Sequence, residues 1–279
     1  MPFTRGPERS KPLGQIVNEA AWCVSQGVRE ITLLGQNVNH YRDGEFGLAD
    51  CLRAVAAVPG VLRVRYTTSH PGYMTPDVLD AMADTPGVMP HLHLPMQSGS
   101  DRVLRSMNRE YTMARYCALV DRARELMPDI ALSTDIIVGY PGETDADFRE
   151  TVAIMEAVRF DSAFMFKYSP RRGTVSAGYD DDVPAEVKQE RLAEIINLQR
   201  GITQERSERF VGKEVEVLVD GPSSRFPDQV VGKTREFKNA VFAGRAEWAG
   251  TLRRARVQSA KGVTLTAEPV ETAIAPQGA

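Results

Sequence analysis

The sequence predicts an α/β protein built on a parallel sheet, followed by a small all-β barrel. Between residues 11 and about 170, short apolar runs alternate with amphipathic helical segments. That alternation is typical of a parallel sheet closed or half-closed by outer helices. After residue 209, hydrophobic residues recur at every second position in about five short runs separated by turn residues. This second pattern indicates a small β-barrel.

The first part contains five strand–helix units, too few for a complete eightfold barrel. The predicted strands are 30–34, 63–68, 91–94, 130–138 and 162–168. The predicted helices are 12–26, 47–58, 75–83, 100–108, 112–127 and 144–158. Pro76 suits a first helical position, and Pro59-Gly60 ends the preceding helix. Thr144 caps a helix whose first turn holds Asp145 and Asp147, where the helix dipole favours acids.

Four regions are predicted along the chain. They are the α/β part at 1–183, a connecting helix at 184–208, the β-barrel at 209–270 and a disordered tail at 271–279. The connecting helix opens at Asp182-Val-Pro184 and carries only a thin apolar stripe. Barrel strands are predicted at 214–219, 241–242, 255–257 and 263–266. The tail is rich in Ala, Pro and Gly, which predicts fraying.

Charge is unevenly distributed along the 279 residues, whose net charge is −3. Residues 209–265 hold eleven Lys and Arg against six Asp and Glu, so this segment carries +5 and the remainder −8. A basic appendage on an acidic body indicates a nucleic-acid contact, with a merely solvated basic face as the alternative. No apolar run approaches the ~18 residues of a membrane span, and the first residues lack a secretory h-region. We therefore expect a cytoplasmic protein without a membrane partner.

The three cysteines, Cys23, Cys51 and Cys117, are far apart and form no C-x-x-C pair. This spacing argues against a disulfide framework and a zinc site, and favours packed thiols. His91 and His93 share one strand face, but no third metal ligand lies nearby in sequence. No metal site is therefore predicted.

Polar loops containing Gly or Pro follow each of the five predicted strands. Ligands of parallel α/β sheets bind at this edge. The amides of Gln36, Asn37 and Gln97 offer donors and acceptors, and Arg171 can clamp an anion. Asp135 lies inside an apolar strand, where an acid needs a hydrogen-bond donor. Any one loop is compatible with plain turn chemistry, but five in succession predict a site for a polar ligand.

Several motifs in fixed order resemble the tRNA branch of the radical-SAM methylthiotransferases. They are Leu33-Leu-Gly-Gln-Asn-Val-Asn39, Tyr66-Thr-Thr-Ser-His-Pro71, His93-Leu-Pro-Met-Gln-Ser-Gly-Ser-Asp101, Asp135-Ile-Ile-Val-Gly-Tyr-Pro-Gly-Glu-Thr144, Ser169-Pro-Arg-x-Gly-Thr174 and Gly232-Lys-Thr234 with Lys238-Asn-Ala-Val-Phe242. The resemblance covers residues 1–268. The first motif is similar to the branch that acts on N(6)-isopentenyl-adenosine beside the anticodon.

The resemblance implies a partial (β/α) radical-SAM barrel missing its first strand, followed by a TRAM-like β-barrel that grips RNA. It implies S-adenosyl-L-methionine as cofactor, surrounded by Gln36, Asn37, Gln97, Asp135 and Arg171. It implies that RNA phosphate is faced by Lys233, Arg235 and Lys238. The implied reaction is sulfur insertion and methylation at C2 of the modified adenosine. The implied partners are the tRNA anticodon stem-loop and an electron donor protein, and we expect a monomer.

One family motif has no counterpart in this sequence. The family holds a [4Fe–4S] cluster on C-x-x-x-C-x-x-C, directly before a segment like Val-Pro-Tyr-Thr-Arg-Gly. Met1-Pro-Phe-Thr-Arg-Gly6 occupies that place here. We therefore expect a truncated product or a mis-called start, without catalytic residues or cluster ligands and inactive alone. The alternative is a non-catalytic tRNA-binding fragment. A cluster-free methyltransferase is disfavoured because no base or nucleophile stands out.

Overall fold

The computed structural model describes residues 9–67, 69–171 and 173–273. The described chain divides into two compact units at Pro90/His91, inside the predicted α/β region of residues 1–183. Residues 274–279 of the predicted tail lie outside the described residues, whereas 271–273 belong to the last strand. Among the described residues, no helix is long and apolar enough to cross a membrane.

The first unit is a two-stranded parallel sheet with three helices. Its elements are α1 (Leu13–Ser25), β1 (Glu30–Leu33), α2 (Leu48–Ala56), β2 (Arg63–Tyr66) and α3 (Pro76–Asp84). Strand β1 runs parallel to β2, with Glu30 opposite Arg63. Leu52, Val55 and Leu79 from α2 and α3 are fully buried and form the unit's core. A 3₁₀ turn at Val38–His40 follows β1 and carries the first predicted ligand loop.

The second unit opens with a three-stranded parallel sheet. Its elements are β3 (His91–His93), α4 (Asp101–Ser106), α5 (Met113–Leu126), β4 (Ala131–Val138), α6 (Asp145–Val158) and β5 (Ser162–Lys167). The strand order is β3-β4-β5, with β4 central. On β4, Leu132, Thr134 and Ile136 are buried, whereas Asp135 between them is half-exposed. The strand's alternation therefore places Asp135 on the open face.

A long helix, α7 (Ala185–Glu208), leads from the sheet to a closed barrel. The barrel strands are β6 (Glu214–Pro222), β7 (Gln229–Thr234), β8 (Asn239–Ala243), β9 (Leu252–Lys261) and β10 (Thr264–Ala273). Their closed order is β10-β8-β7-β6-β9, and the core includes Val217, Val230, Phe242 and Leu265. The predicted α/β alternation and the five-stranded barrel are thus confirmed.

Strand β7 is the barrel strand that was not predicted. Gly232 interrupts its apolar run, and glycine is normally depleted in strands. The structure requires it, because a Cβ at this position would lie 2.1 Å from the backbone oxygen of Leu218 on the neighbouring strand. The residue that weakens the sequence signal is therefore the one that permits the close approach of β6 and β7.

Candidate functional site

The loop after β3 holds Gln97 in a fixed and unusual conformation. Gln97 has φ 65°, in the left-handed region that non-glycine residues rarely adopt. Its N–H donates to the backbone oxygen of Asp135 (2.8 Å), and its carbonyl accepts from Ile137 N–H (2.8 Å). Gln97 therefore extends the parallel pairing beyond β3 and is fastened beside Asp135. Two predicted cofactor residues, Gln97 and Asp135, are brought together in this way.

Asp135 faces a short polar chain of side chains on the same side of the sheet. Its Oδ1 lies 3.5 Å from His93 Nε2. His93 Nδ1 lies 3.0 Å from Ser133 Oγ, which in turn lies 3.2 Å from His91 Nε2. The carboxylate is thus oriented by an imidazole while remaining partly open to a ligand. His91 and His93 thus both contact Ser133, and His93 also contacts Asp135.

A buried ion pair holds the loop after β4. Gly139 has φ 69°, and its N–H donates to Glu143 Oε2 (2.6 Å). Arg191 of α7 donates to the same oxygen (2.8 Å) and to the Glu143 carbonyl (3.1 Å). Burial raises the pKa of Glu143 despite the Gly139 hydrogen bond and the Arg191 charge. This loop is accordingly anchored to α7 rather than free to bind through Glu143.

The loop after β3 is fastened at a second place, through Asp147. Asp147 Oδ1 accepts hydrogen bonds from Ser100 Oγ (2.7 Å) and Arg102 Nε (3.2 Å), and its other oxygen accepts from Thr144 N–H (2.8 Å). Gly99 N–H donates to Thr151 Oγ1 (2.9 Å) on the same helix. Burial alone would raise the pKa of Asp147, but the hydrogen bonds from Arg102, Thr144 and Ser100 lower it overall. Helix α6 therefore supports the Gln97 loop.

In the first unit, the loop after β1 is closed by an amide that sequence reasoning left out of the site. Asn39 is buried, donates from Nδ2 to the His70 carbonyl (2.8 Å) and accepts from His70 N–H (2.9 Å). This pairing joins the β1 and β2 loops. Gln36 is exposed and Asn37 half-buried, so both predicted residues have side chains accessible to a ligand. The signal for Asn39 was its repetition of the amide pattern two residues after Asn37.

Arg171 lies on the loop after β5 and is exposed. Its carbonyl accepts from Thr174 N–H (3.1 Å) and from Thr174 Oγ1 (2.8 Å), which gives the loop a local turn. Gln97, Asp135 and Arg171 therefore all follow or lie on strands of one parallel sheet. An amide, a carboxylate and a guanidinium fit a ligand with amino, hydroxyl and carboxylate groups, as S-adenosyl-L-methionine has.

On the barrel, the predicted RNA residues differ in their surroundings. Lys233 is half-buried, hydrogen-bonds to Asn239 Oδ1 and lies over the Phe237 ring at 4.8 Å. Arg235 is half-buried and lines a cleft with Arg209 and Lys213. Four carboxylates line the same cleft, so it is not a purely cationic surface. The phosphate contacts of Lys233 and Arg235 remain a prediction.

Lys238 requires a correction. Its side chain points inward and is 2% exposed, with Nζ 3.2 Å from Asp161 Oδ1. Arg206 and Arg209 approach the same carboxylate at 3.0 and 3.7 Å. Burial lowers the pKa of Lys238, while the three cations lower that of Asp161 against its burial. Lys238 therefore joins the barrel to the strand-β5 end of the sheet and does not face RNA phosphate.

The described residues do not fit a [4Fe–4S] cluster. Cys23, Cys51 and Cys117 lie on three different helices, and burial raises the pKa of Cys51 to about 11, which opposes the thiolate that a cluster needs. Within the described part of the chain, no three His, Cys, Asp or Glu residues are grouped as metal ligands.

The parallel strands with polar loops at their ends, followed by a closed five-stranded barrel, define an α/β protein with a small appended β-barrel. The family model of the radical SAM superfamily matches residues 2–155, more than half of the chain. The chain therefore belongs to the radical SAM superfamily. A solved coproporphyrinogen III oxidase from Escherichia coli, a radical SAM enzyme, covers 89% of this chain and 60% of its own, at TM-score 0.48 and 14% identity. That likeness is too distant to refine the assignment.

Curated relatives are much more similar. A tRNA-2-methylthio-N(6)-dimethylallyladenosine synthase of Moorella thermoacetica is 46% identical over 275 residues, covering 97% of this chain and 62% of the relative. Proteins of the same name from Acidithiobacillus ferrooxidans and Coxiella burnetii are 47% and 44% identical, over 90% and 96% of this chain and 57% and 62% of theirs. The chain thus spans about three fifths of the relatives it matches.

Proposed function

We propose that this chain is the cofactor-binding and RNA-binding portion of a tRNA methylthiotransferase. The parent reaction would insert sulfur and add a methyl group at C2 of N(6)-isopentenyl-adenosine beside the anticodon. The observation that carries the proposal is 44–47% identity, over at least 90% of the chain, to relatives named for that reaction. Support for the proposal also comes from the polar loops around Gln97 and Asp135, as candidates for a cofactor site, and from the excess of Lys and Arg in the barrel segment, as a candidate RNA contact.

The proposed cofactor is S-adenosyl-L-methionine, for which Gln97, Asp135 and Arg171 are the candidate ligands in the second unit; for Gln36 and Asn37 in the first unit, only the family resemblance supports a cofactor role. In the parent protein, the electron for this chemistry would come from a [4Fe–4S] cluster, which the described residues of this chain do not fit, and an electron donor protein would be the partner of that cluster. We also propose that the protein is cytoplasmic and monomeric, and that it binds the anticodon stem-loop of tRNA. Since the family's cluster-binding cysteines are not among the 279 residues, we expect this chain alone to bind its ligands without reaction.

Two measurements on the full chain test this proposal. We expect a synthetic anticodon stem-loop to bind more tightly with N(6)-isopentenyl-adenosine than with adenosine, in buffer containing S-adenosyl-L-methionine. Binding should weaken steeply as salt rises, because Lys and Arg contacts to phosphate release counterions. Equal affinity for the two stem-loops, with no effect of the cofactor, would contradict the modified adenosine as substrate.

Iron and sulfide analysis after anaerobic reconstitution addresses catalytic competence. We expect substoichiometric iron, and no methylthio nucleoside when the stem-loop is digested and analysed by mass spectrometry. A full cluster per chain would overturn the expectation of inactivity. The second candidate function is non-catalytic tRNA binding. It is favoured because the family's cluster-binding cysteines are not among the 279 residues. It predicts stem-loop binding that is indifferent to S-adenosyl-L-methionine.

A further inference from the structure

The two ends of the barrel have different surroundings. At one end, the β7–β8 turn is docked: Lys238 pairs with Asp161 at 3.2 Å, and the Phe237 ring stacks on His91 at 4.8 Å. The β9–β10 turn docks at the same end, since Gly262 N–H donates to Gln204 of α7 (2.9 Å). Strand β8 leaves this end and β9 returns to it. The β8–β9 connection therefore lies at the opposite end.

That opposite end contains a cleft of about 620 Å³. Arg245, Arg253 and Arg254 line it together with Trp248, and small or apolar residues complete the lining. Every ionisable residue in this lining is an arginine, in contrast to the cleft near Arg235, where carboxylates are mixed in. Arg245 and Arg254 are exposed, and neither forms an ion pair with any side chain that the structure describes. The cleft is thus a concentrated cationic surface.

One wall of the cleft is an arginine packed over an aromatic ring. The Arg253 guanidinium lies 4.5 Å from the centre of the Trp248 ring, and its Nε donates to Thr251 Oγ1 (3.2 Å). The ring sits beside Phe242 of the barrel core, with centroids 6.4 Å apart. A Cβ on Gly244 would lie 2.8 Å from Trp248 Cε3, so glycine is what lets the ring pack here. The Arg253 guanidinium is therefore held over the indole by a cation–π contact and one hydrogen bond.

We propose that this cleft binds one unstacked nucleotide of single-stranded RNA. The base would stack on the Arg253 plane, which Trp248 supports from behind, as bases do on arginine and aromatic planes. The flanking phosphates would take hydrogen bonds from Arg245 and Arg254, since guanidinium groups match phosphate geometry. The choice of RNA as partner rests on the proposed function. The location of the cleft does not rest on the proposed function, because Lys233, Arg235 and Lys238 do not line it.

The sequence provides a direct probe, because Trp248 and Trp22 are the only tryptophans among the 279 residues. In the full chain carrying Trp22→Phe, the fluorescence then comes from Trp248 alone. We expect a 5′-phosphorylated hexauridylate to change this fluorescence saturably at low salt. Arg245→Ala with Arg254→Ala should weaken binding about tenfold or more through lost phosphate contacts. Arg253→Lys, which keeps the charge but loses the plane, should also weaken it about tenfold.

Arg256→Ala is the matched control. Arg256 is an exposed arginine on the same strand β9, but it pairs with Glu214 (2.8 Å) and does not line the cleft. We expect it to change the affinity less than about twofold. Unchanged Trp248 fluorescence on adding the hexamer would overturn the proposal, as would equal losses in Arg256→Ala and the double variant. Circular dichroism of each variant separates a lost contact from a lost fold.

Two further ligands decide the chemical class. If adenosine monophosphate binds as tightly as the hexamer, the cleft is a mononucleotide site and the RNA proposal is wrong. If polyglutamate changes the fluorescence equally, charge alone is recognised and the proposal is also wrong. Different results would contradict the proposed function and the cleft proposal. Stem-loop binding that is unaffected by the double variant contradicts only the cleft, whereas a hexamer response without preference for the modified stem-loop contradicts only the methylthiotransferase assignment.

Discussion

Asp145 and Asp147 stand in the first turn of the same helix, yet only one is part of the loop network. Asp147 is buried and accepts hydrogen bonds from Ser100, Arg102 and Thr144. Asp145 is exposed, and its nearest cation, Arg149, is 3.9 Å away. Removing one partner of a buried charged pair is costly, whereas exposed pairs contribute little. The helix dipole acts on both residues, so the difference between them comes from burial.

We expect Asp147→Asn to lower the free energy of unfolding by about 2 kcal/mol at pH 7, because a neutral amide replaces a buried carboxylate that accepts hydrogen bonds from Ser100, Thr144 and the exposed Arg102. The folded pKa of Asp147 is lowered, so its contribution is present above the ordinary aspartate value and is lost as pH falls below that value. The gap between wild type and variant should therefore shrink in acid. Urea unfolding of wild type and variant at pH 7 and pH 3.5 measures the loss of stability and its decrease in acid. Asp145→Asn is the control; an equal loss there would contradict the network.

Arg159 ends α6 in the left-handed conformation, at φ 53°. Its side chain forms an exposed ion pair with Glu205. Arg159→Gly and Arg159→Ala both remove this pair, and they differ only in the Cβ. We expect the glycine variant to be more stable than the alanine variant by about 1 kcal/mol, since a Cβ is strained at this φ. Thermal unfolding compares the two, and equal stabilities would indicate that the helix end relaxes.

At the scale of elements, α6 and the loop after β3 meet through a glycine. A Cβ on Gly99 would lie 2.5 Å from the Thr151 Cα and 2.7 Å from the Glu150 oxygen. Both atoms are backbone atoms of a helix, so no flexible side chain can move aside. The close approach is also what allows the hydrogen bond from Gly99 N–H to Thr151. The Gln97 loop is thereby positioned by packing against a helix rather than by its own turn residues.

We expect Gly99→Ala to destabilise the protein by about 2–3 kcal/mol through overpacking and to weaken S-adenosyl-L-methionine binding by moving Gln97. Gly201→Ala is the matched control: Gly201 lies within α7, and an added Cβ would meet no atom within 4 Å apart from the adjacent backbone of its own helix. We expect it to stabilise by about 1 kcal/mol, because alanine favours a helix interior. Urea unfolding and equilibrium dialysis of the cofactor measure the two effects. A tolerated Gly99→Ala would show that the loop can shift independently of α6.

At the scale of the second unit, sheet, α7 and barrel meet at Asp161. This buried carboxylate receives Lys238 from the barrel and Arg206 and Arg209 from the C-terminal end of α7. Three cations around one acid leave an excess positive charge. Removing the acid should therefore cost more than removing any one cation.

We expect Asp161→Asn to lower the free energy of unfolding by about 3–5 kcal/mol at pH 7. Lys238→Met, which keeps the stem and removes the charge, should cost less because Asp161 retains Arg206 at 3.0 Å. The lowered folded pKa of Asp161 means that its contribution fades as pH falls below the ordinary aspartate value. Denaturation of these variants in the Trp22→Phe background, monitored by Trp248 fluorescence and by circular dichroism, tests whether barrel and sheet unfold together. A larger loss in Lys238→Met than in Asp161→Asn would contradict the excess of cations.

The sequence determined the alternation of strands and helices, the barrel, and the polar loops at strand ends. These follow from local periodicity, from Pro and Thr at helix starts, and from Gly and Pro in turns. Strand β7 was not predicted because Gly232 interrupts its apolar run. The same glycine is needed for the close approach of the Leu218 backbone. In the first unit, Asn39 was overlooked because its amide pairs with His70, a partner from the next strand's loop.

Tertiary structure alone decided which charged side chains face inward. Lys233, Arg235 and Lys238 look alike in sequence, yet Lys238 meets Asp161, far away in the chain, and is buried with it. Likewise, the Arg253 guanidinium is held over an aromatic ring only because the β8–β9 connection places Trp248 beside it. Residue type and period fix which elements form. How those elements pack decides which distant residue each Lys or Arg side chain contacts. That contact determines whether the side chain forms a buried ion pair or stays available to a ligand.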